Sequence, residues 1–204
     1  MREWSNKQLV EYIVMVEFES FDRVKGIGGR ASCQDDWKTF YIMRASQYLT
    51  WTRDMLISYL NDFQTASEKG WNMITEKYAR MMETTDKERF NEFKDSLPPI
   101  SEKKKAIIEE VVKIQVAWME EFTKEYPQVS PYTRYIHTTE DTIEHTSYET
   151  YLRGELSTYS DHTLYLYARF IVELMKEKKN LAKMTMEHTI HMYGYQSFDE
   201  ITWR

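Results

Sequence analysis

The sequence predicts an all-α fold, a single-domain helical bundle of six to eight helices with one long irregular loop. Three observations lead there. Apolar residues recur at helical spacing in segment after segment, no alternating run is long enough to demand a sheet, and Gly or Pro punctuates the segment ends. A chain of 204 residues fits one domain, 1–204, large enough to bury a core, and no internal repeat or composition break marks a linker.

Ser5 followed by Gln8 forms a capping box, and Leu9, Val10, Ile13, Val16 and Phe21 share a face, which predicts a first helix over residues 6–24. Gly26, Gly28 and Gly29 end it. After a loop bearing Arg30 and Cys33, Asp35 or Asp36 caps a second helix in which Trp37, Phe40, Tyr41, Tyr48 and Trp51 share a face. Residues 50–52 are a candidate interruption before the pattern resumes over 55–67. Gly70 closes that segment, and Trp71, Ile74, Tyr78, Met81 and Met82 define the next helix. Thr85 with Glu88 reads as a capping box for a short one, which Pro98 and Pro99 stop. Ser101 opens the clearest helix, 102–126, whose Ile107, Val111, Ile114, Trp118 and Phe122 hold a strict stripe until Pro127. Residues 127–146 are irregular, a candidate loop or lid. Helices resume over 148–158, 161–179 and 180–193, the last ended by Gly194.

Composition excludes several classes of function. The net charge is −6 with both signs interspersed, and the one basic cluster, Lys103 to Lys105, stands beside Glu102, Glu109 and Glu110. No nucleic-acid or anionic-membrane footprint results. No apolar run approaches the roughly 20 residues that cross a bilayer, and the start of the chain lacks the apolar stretch of a signal peptide. A single cysteine allows no internal disulfide, which fits a reducing cytoplasm.

Five polar side chains break the helical pattern. Glu17 falls among Val10, Ile13 and Phe21 on its wheel, and Arg44 and Gln47 among Trp37, Phe40 and Trp51. Gln115 falls among Ile108, Val111 and Phe122, and Glu155 among Tyr148, Tyr151, Leu152 and Tyr159. Packing these faces together brings two acids, one guanidinium and two amides from four helices into one interior. A buried charge or amide is costly unless partnered, so the set forms one of two things. It is either a satisfied network that fixes helix register, with Arg44 forked onto a carboxylate, or the lining of an interhelical small-molecule pocket walled by aromatics. In the second reading Arg44 anchors a carboxylate or phosphate and either Glu17 or Glu155 is a candidate base.

A second group lies near the irregular stretch. Glu149 and Arg153 are four apart on the flank of their helix, a surface ion pair or part of a site. The stretch before them carries Arg134, His137, Thr138, Glu140, Asp141 and His145, and is long for an idle connection. Histidine titrates near neutrality, which makes His137 the candidate mobile acid or base.

Other constellations are weaker. None of the five histidines has Glu three residues before it, so the pattern of a di-metal helical bundle is missing, and only Glu187, His188 and His191, or His145 with Glu149, offer ligands. Cys33 precedes a helix start, which favours a thiolate, and adjacent aspartates, which oppose it. The glycine-rich loop over 26–30 follows a helix and lacks a Gly-Lys-Ser/Thr ending, so it reads as a turn.

Longer motifs carry a resemblance. Ala-Ser-Cys-Gln-Asp at 31–35, Tyr-Ile-Met-Arg-Ala-Ser-Gln at 41–47, Glu-Lys-Tyr-Ala-Arg-Met-Met-Glu at 76–83, Ile-His-Thr-Thr-Glu-Asp at 136–141 and Thr-Ser-Tyr-Glu-Thr-Tyr-Leu-Arg-Gly-Glu-Leu at 146–156 resemble the bacterial and archaeal family termed domain of unknown function 4125. The likeness spans nearly the whole chain. It implies candidate site positions at Cys33, Gln34, Arg44, Gln47, Glu76, Arg80, His137, Glu149, Arg153 and Glu155, and a helical unit that can accompany a nucleotidyltransferase-like domain. Periodicity sets Glu76 and Arg80 on the polar flank of their helix, outside the pocket of Arg44.

Three functions are therefore expected in order. The first is a soluble helical protein, an enzyme among the options, that holds a small polar or anionic ligand through Glu17, Arg44, Gln47, Gln115, His137, Glu149, Arg153 and Glu155, with the segment around His137 as cover. The second is a non-catalytic interaction module, with a protein partner or a second copy docking on exposed aromatics. The third is a metal-dependent oxidase of helical-bundle type. Neither a nucleic acid nor a membrane is expected as partner.

Overall fold

Every α-helix among the described residues starts at a Ser, Thr, Asp or Asn whose side chain accepts a backbone N–H of the first turn, which satisfies donors the helix cannot. In this computed structural model, which describes residues 3–26 and 29–201, nine such helices appear. They are α1 (Asn6–Asp22), α2 (Trp37–Tyr48), α3 (Arg53–Glu68), α4 (Met73–Thr85), α5 (Lys87–Phe93), α6 (Glu102–Glu125), α7 (Tyr148–Thr158), α8 (Asp161–Lys176) and α9 (Leu181–Met192). No strand occurs among the described residues, only an isolated bridge between Gly26 and Gly29. The fold is all-α, as the periodicity predicts.

The nine helices among the described residues are close to the six to eight expected, and both short breaks fall near where the sequence marks them. At residues 49–52 the chain turns and Thr52 caps α3, accepting from the Met55 N–H at 3.4 Å. At Asp86, rather than Thr85, a cap to the Arg89 N–H at 3.3 Å starts α5. Two other boundaries matter below. α4 starts at Met73 with Asn72 as its cap, so Trp71 stands in the turn before it and not in the helix. The expected loop over 26–30 is described except at Ile27 and Gly28, which lie outside the described residues.

Leu9 and Ile13 of α1, Leu56 and Tyr59 of α3, Leu156 of α7, and Leu164 and Ile171 of α8 are almost fully buried and centre the larger core. A smaller cluster of Met119, Phe122, Val129, Ile190 and Phe198 joins the end of α6 to α9 and the C-terminal segment. No helix among the described residues is long and apolar enough to cross a membrane.

α4 and α7 make the most extensive helix–helix contact, and a glycine permits it. A Cβ on Gly154 would stand 3.0 Å from the Lys77 carbonyl oxygen and 3.0 Å from Met81 Cγ. Valine there drives α7 off the α4 backbone. We expect Gly154→Val to cost about 2 kcal/mol, read as a lowered midpoint in urea unfolding, because a backbone carbonyl cannot move aside as a side chain can.

The irregular stretch is tied down. The Tyr148 and Glu149 N–H groups donate to the Tyr135 and Ile136 carbonyls at 2.7 and 3.0 Å. Asp141 accepts the Ser147 N–H and the Thr150 hydroxyl, both at 2.6 Å. These bonds strap residues 135–141 onto the start of α7.

Candidate functional site

Helices α1, α2 and α7 carry Glu17, Arg44 and Glu155 to one buried point. Arg44 donates Nε and Nη2 to the two oxygens of Glu17 at 2.9 and 2.7 Å, a bidentate fork, and Nη1 to Glu155 Oε2 at 2.8 Å. Its Nη1 also reaches Gln47 Oε1 at 2.8 Å, and its Nη2 the Tyr48 hydroxyl. All three of these charged side chains are nearly inaccessible to solvent.

The carboxylates are saturated as well. Glu17 Oε1 accepts the hydroxyls of Tyr48 and Tyr59, each at 2.7 Å. Glu155 Oε1 accepts Gln47 Nε2 at 2.7 Å and the Tyr159 hydroxyl at 2.9 Å, and its Oε2 faces Lys77 Nζ at 3.4 Å. Lys77, buried on α4, also donates to the Tyr151 hydroxyl at 2.8 Å. Two cations thus face two carboxylates, and the buried charge sums to zero.

Burial alone pushes the Glu155 carboxyl up, but the charges of Arg44 and Lys77 overcome it and hold it at about 2. A carboxylate so acidic is a poor base, which removes Glu155 from the role the wheel reading offered it. Burial also raises the hydroxyls of Tyr48, Tyr59 and Tyr159, which stay protonated and donate to the carboxylates.

Four of the five misplaced polar residues, Glu17, Arg44, Gln47 and Glu155, therefore meet. Gln115 does not join them: its Oε1 accepts the Tyr167 hydroxyl at 3.1 Å and the Tyr148 hydroxyl at 3.4 Å, beside the network. Its Nε2 and the indole N–H of Trp51 find no acceptor among the described residues. His137, Glu149 and Arg153 lie elsewhere. His137 Nε2 stands 3.0 Å from Glu120 Oε1 at the surface. Arg153 bridges Glu149 at 2.8 Å and Glu109 at 2.8 and 2.9 Å, while Glu149 accepts the Thr138 N–H at 2.9 Å. This group clamps the strap to α6 and α7.

Wheel reasoning missed Lys77 although the signal was present. It stands between Ile74 and Met81 at core spacing on α4. The tyrosine hydroxyls were missed for another reason, since a wheel gives burial but not whether a phenol oxygen reaches a carboxylate.

The two described clefts are lined by other residues. The smaller, about 460 Å³, lies between α1, α3 and the α3–α4 turn and is lined by Glu19, Ser20, Arg23, Gln64, Trp71 and Asn72 among others. The larger, about 630 Å³, is bounded by the end of α3, the turn after it, residues 98–100, the start of α6 and the end of α7. Glu76 and Arg80 are there. Arg80 donates Nε to Glu76 Oε1 at 2.8 Å and Nη2 to the Pro98 carbonyl at 2.7 Å, and the Trp71 indole N–H donates to Glu76 Oε2 at 2.6 Å. Lys104 donates to the carbonyls of Ser157 and Tyr159 at 2.9 and 2.5 Å, closing the end of α7, and burial lowers its pKa.

The profile of the family described as "Protein of unknown function (DUF4125)" matches residues 7–202. The chain belongs to the DUF4125 family. No curated protein and no solved structure matches it. In this DUF4125 chain, Arg44, Gln47 and Glu155 of the motif positions lie in the closed network, Glu76 and Arg80 in the larger cleft, and His137, Glu149 and Arg153 at the clamp on the strap. Cys33 is exposed in a 3-10 turn before α2, and the Gln34 side-chain amide N–H group donates to the carbonyls of Phe21 and Asp22 at the end of α1 and of Val24 just beyond it. Among the described residues no group of three or more His, Cys, Asp or Glu side chains could hold a metal ion, so the oxidase reading gains no support.

Proposed function

We propose that this DUF4125 member binds a small anionic ligand in the larger cleft, and that the Arg44 network is the scaffold that holds the cleft's walls. The observation that carries this reading is the balance of free donors there. Lys69, Arg80 and Lys104 line the cleft with Asp62 and Glu76, and both carboxylates are engaged. Glu76 holds Arg80 and Trp71, and Asp62 accepts the Ser160 N–H at 2.9 Å. Lys69 and Arg80 Nη1 have no protein acceptor among the described residues, and Lys104 donates two of its three N–H bonds. An incoming phosphate or carboxylate meets these donors without displacing a protein carboxylate. The volume of about 630 Å³ falls within the usual span of small-molecule sites.

This reading keeps the ligand class expected of the sequence and moves its anchor from Arg44 to Arg80. Arg44 supports no ligand role because each of its nitrogens is already taken by protein acceptors. A ligand there would have to replace Glu17 or Glu155. The chain is read as one domain acting in the cytoplasm, in keeping with its single cysteine.

Thermal unfolding in the presence of phosphate and small mono- and dicarboxylates tests the proposal. We expect at least one of them to raise the wild-type midpoint by several degrees, since ligand at about 100 times Kd adds about 2.7 kcal/mol. Arg80→Met and Lys104→Met should lose most of that rise while keeping the wild-type circular dichroism. A rise that survives both substitutions would place the ligand elsewhere.

One observation favours a second reading, a protein-interaction module, including a role as accessory to a nucleotidyltransferase-like domain. Tyr132, Tyr135 and Ile143 on the 127–146 segment are 63%, 57% and 81% exposed. A partner that co-purifies with the wild type, is lost in Tyr132→Ser with Ile143→Ser, and is kept in Arg80→Met would favour it over the anion site.

A further inference from the structure

Trp71 is a wall of both clefts. It stands in the turn between α3 and α4 with its backbone N–H donated to the Ala66 carbonyl of α3 at 2.8 Å, and its side chain is 38% exposed. Its indole is nevertheless held. The N–H donates to Glu76 Oε2 at 2.6 Å, Glu76 Oε1 accepts Arg80 Nε at 2.8 Å, and Arg80 Nη2 donates to the Pro98 carbonyl at 2.7 Å. This chain of bonds pins the polar edge of the ring through two residues of the cleft floor.

A tryptophan pinned by its N–H and left partly open offers a flat, rigid apolar surface at little conformational cost to whatever lies against it. In the larger cleft that surface is joined by Pro98, Pro99 and Ile100, so one part of the wall is apolar and another carries Lys69, Arg80 and Lys104. Orthophosphate alone would use only the cationic part. The cleft is large enough for more.

We infer that the ligand of the larger cleft joins a planar ring to an anionic group, as a mononucleotide does, with the ring against the Trp71 indole and the anion at Arg80, Lys104 and Lys69. This inference rests on the anion-binding reading above and names the ligand class for the same site. Glu76 links its two halves, because one carboxylate orients both the indole and the guanidinium. A planar ring can cover the pinned indole face by stacking, as a base does on an aromatic side chain.

Titration calorimetry on the full chain with adenosine monophosphate, ribose 5-phosphate and orthophosphate tests it. The wild type is expected to bind adenosine monophosphate about 10-fold or more tighter than ribose 5-phosphate, the size of one base–aromatic stack. In Trp71→Leu the two phosphates should bind within about 2-fold of each other at the wild-type ribose 5-phosphate affinity, whereas Trp71→Phe should keep most of the preference. Equal affinities for the two phosphates in the wild type would overturn the ring and leave the anion site standing. A preference that persists in Trp71→Leu would also overturn it. If none of the three compounds binds, the anion-binding reading fails and this one with it. The wild-type ratio decides the ring even if a variant folds poorly.

Discussion

Arg44→Met is expected to lower the stability of this protein by about 3 to 5 kcal/mol, which for a chain of this size is a fall of about 10 °C or more in the unfolding midpoint. The reason is what the substitution leaves behind. Glu17 and Glu155 stay buried, and Glu17 keeps only the hydroxyls of Tyr48 and Tyr59 as donors. A carboxylate without its counter-ion in the interior costs far more than an ordinary lost hydrogen bond. Total stabilities are commonly about 5 to 15 kcal/mol, so a large share of the margin disappears. Arg44→Lys should fall between the wild type and Arg44→Met, because an ammonium restores the charge but cannot fork onto Glu17 while reaching Glu155 and Gln47. The result separates the two sequence-based alternatives. A residue kept in an open pocket for ligand binding can usually be replaced by an apolar one with no loss of stability, or with a gain. A midpoint unchanged in Arg44→Met would contradict the closed network.

Glu155→Gln is expected to destabilise by about 3 kcal/mol near neutrality, with a deficit that depends on pH in a stated direction. The Glu155 carboxyl is held at about 2 in the folded state, below the value of about 4.3 usual for an unfolded chain. A carboxylate depressed in this way stabilises the fold fully above the unfolded value. Its contribution falls as pH drops from about 4.3 and is gone below about 2. Glutamine has no such charge to lose. Urea midpoints of wild type and variant should therefore be well separated at pH 7 and approach each other between pH 4 and pH 2.5. A gap that stays constant across that range would mean that Arg44 and Lys77 do not act on Glu155 as its ion partners.

The helices and the interior network were largely legible in the sequence, because both follow from period and capping. The Ser5–Gln8 box and the Ser101 cap fall where the pattern puts them. The same wheels that predict burial also flag Glu17, Arg44 and Glu155, which lie 111 residues apart at most along the hydrogen-bonded pairs yet meet in space. Whether that meeting place is a pocket or a packed lock was not legible. The difference lies in counting partners: three tyrosine hydroxyls and Lys77 complete the set, and a wheel treats those phenols as apolar.

The cleft was hidden for a different reason. Its walls come from residues 62–80, 98–104 and 157–160, brought together by the packing of α4 on α7 and of α6 on α7. No periodicity links such segments. Trp71 reads by pattern as the first apolar residue of a helix, yet Asn72 caps that helix one residue later and leaves the indole outside it. Only the family resemblance pointed to Glu76 and Arg80, and it gave them no role.

The most direct test is a two-dimensional amide NMR titration of the isotope-labelled chain with phosphate. The account predicts shifts at Trp71, including its indole N–H, and at Arg80, Lys104 and residues 157–160, with Glu17, Arg44 and Glu155 unmoved. Shifts centred on Gln47, Lys77 and Glu155, with the Trp71 indole silent, would contradict it.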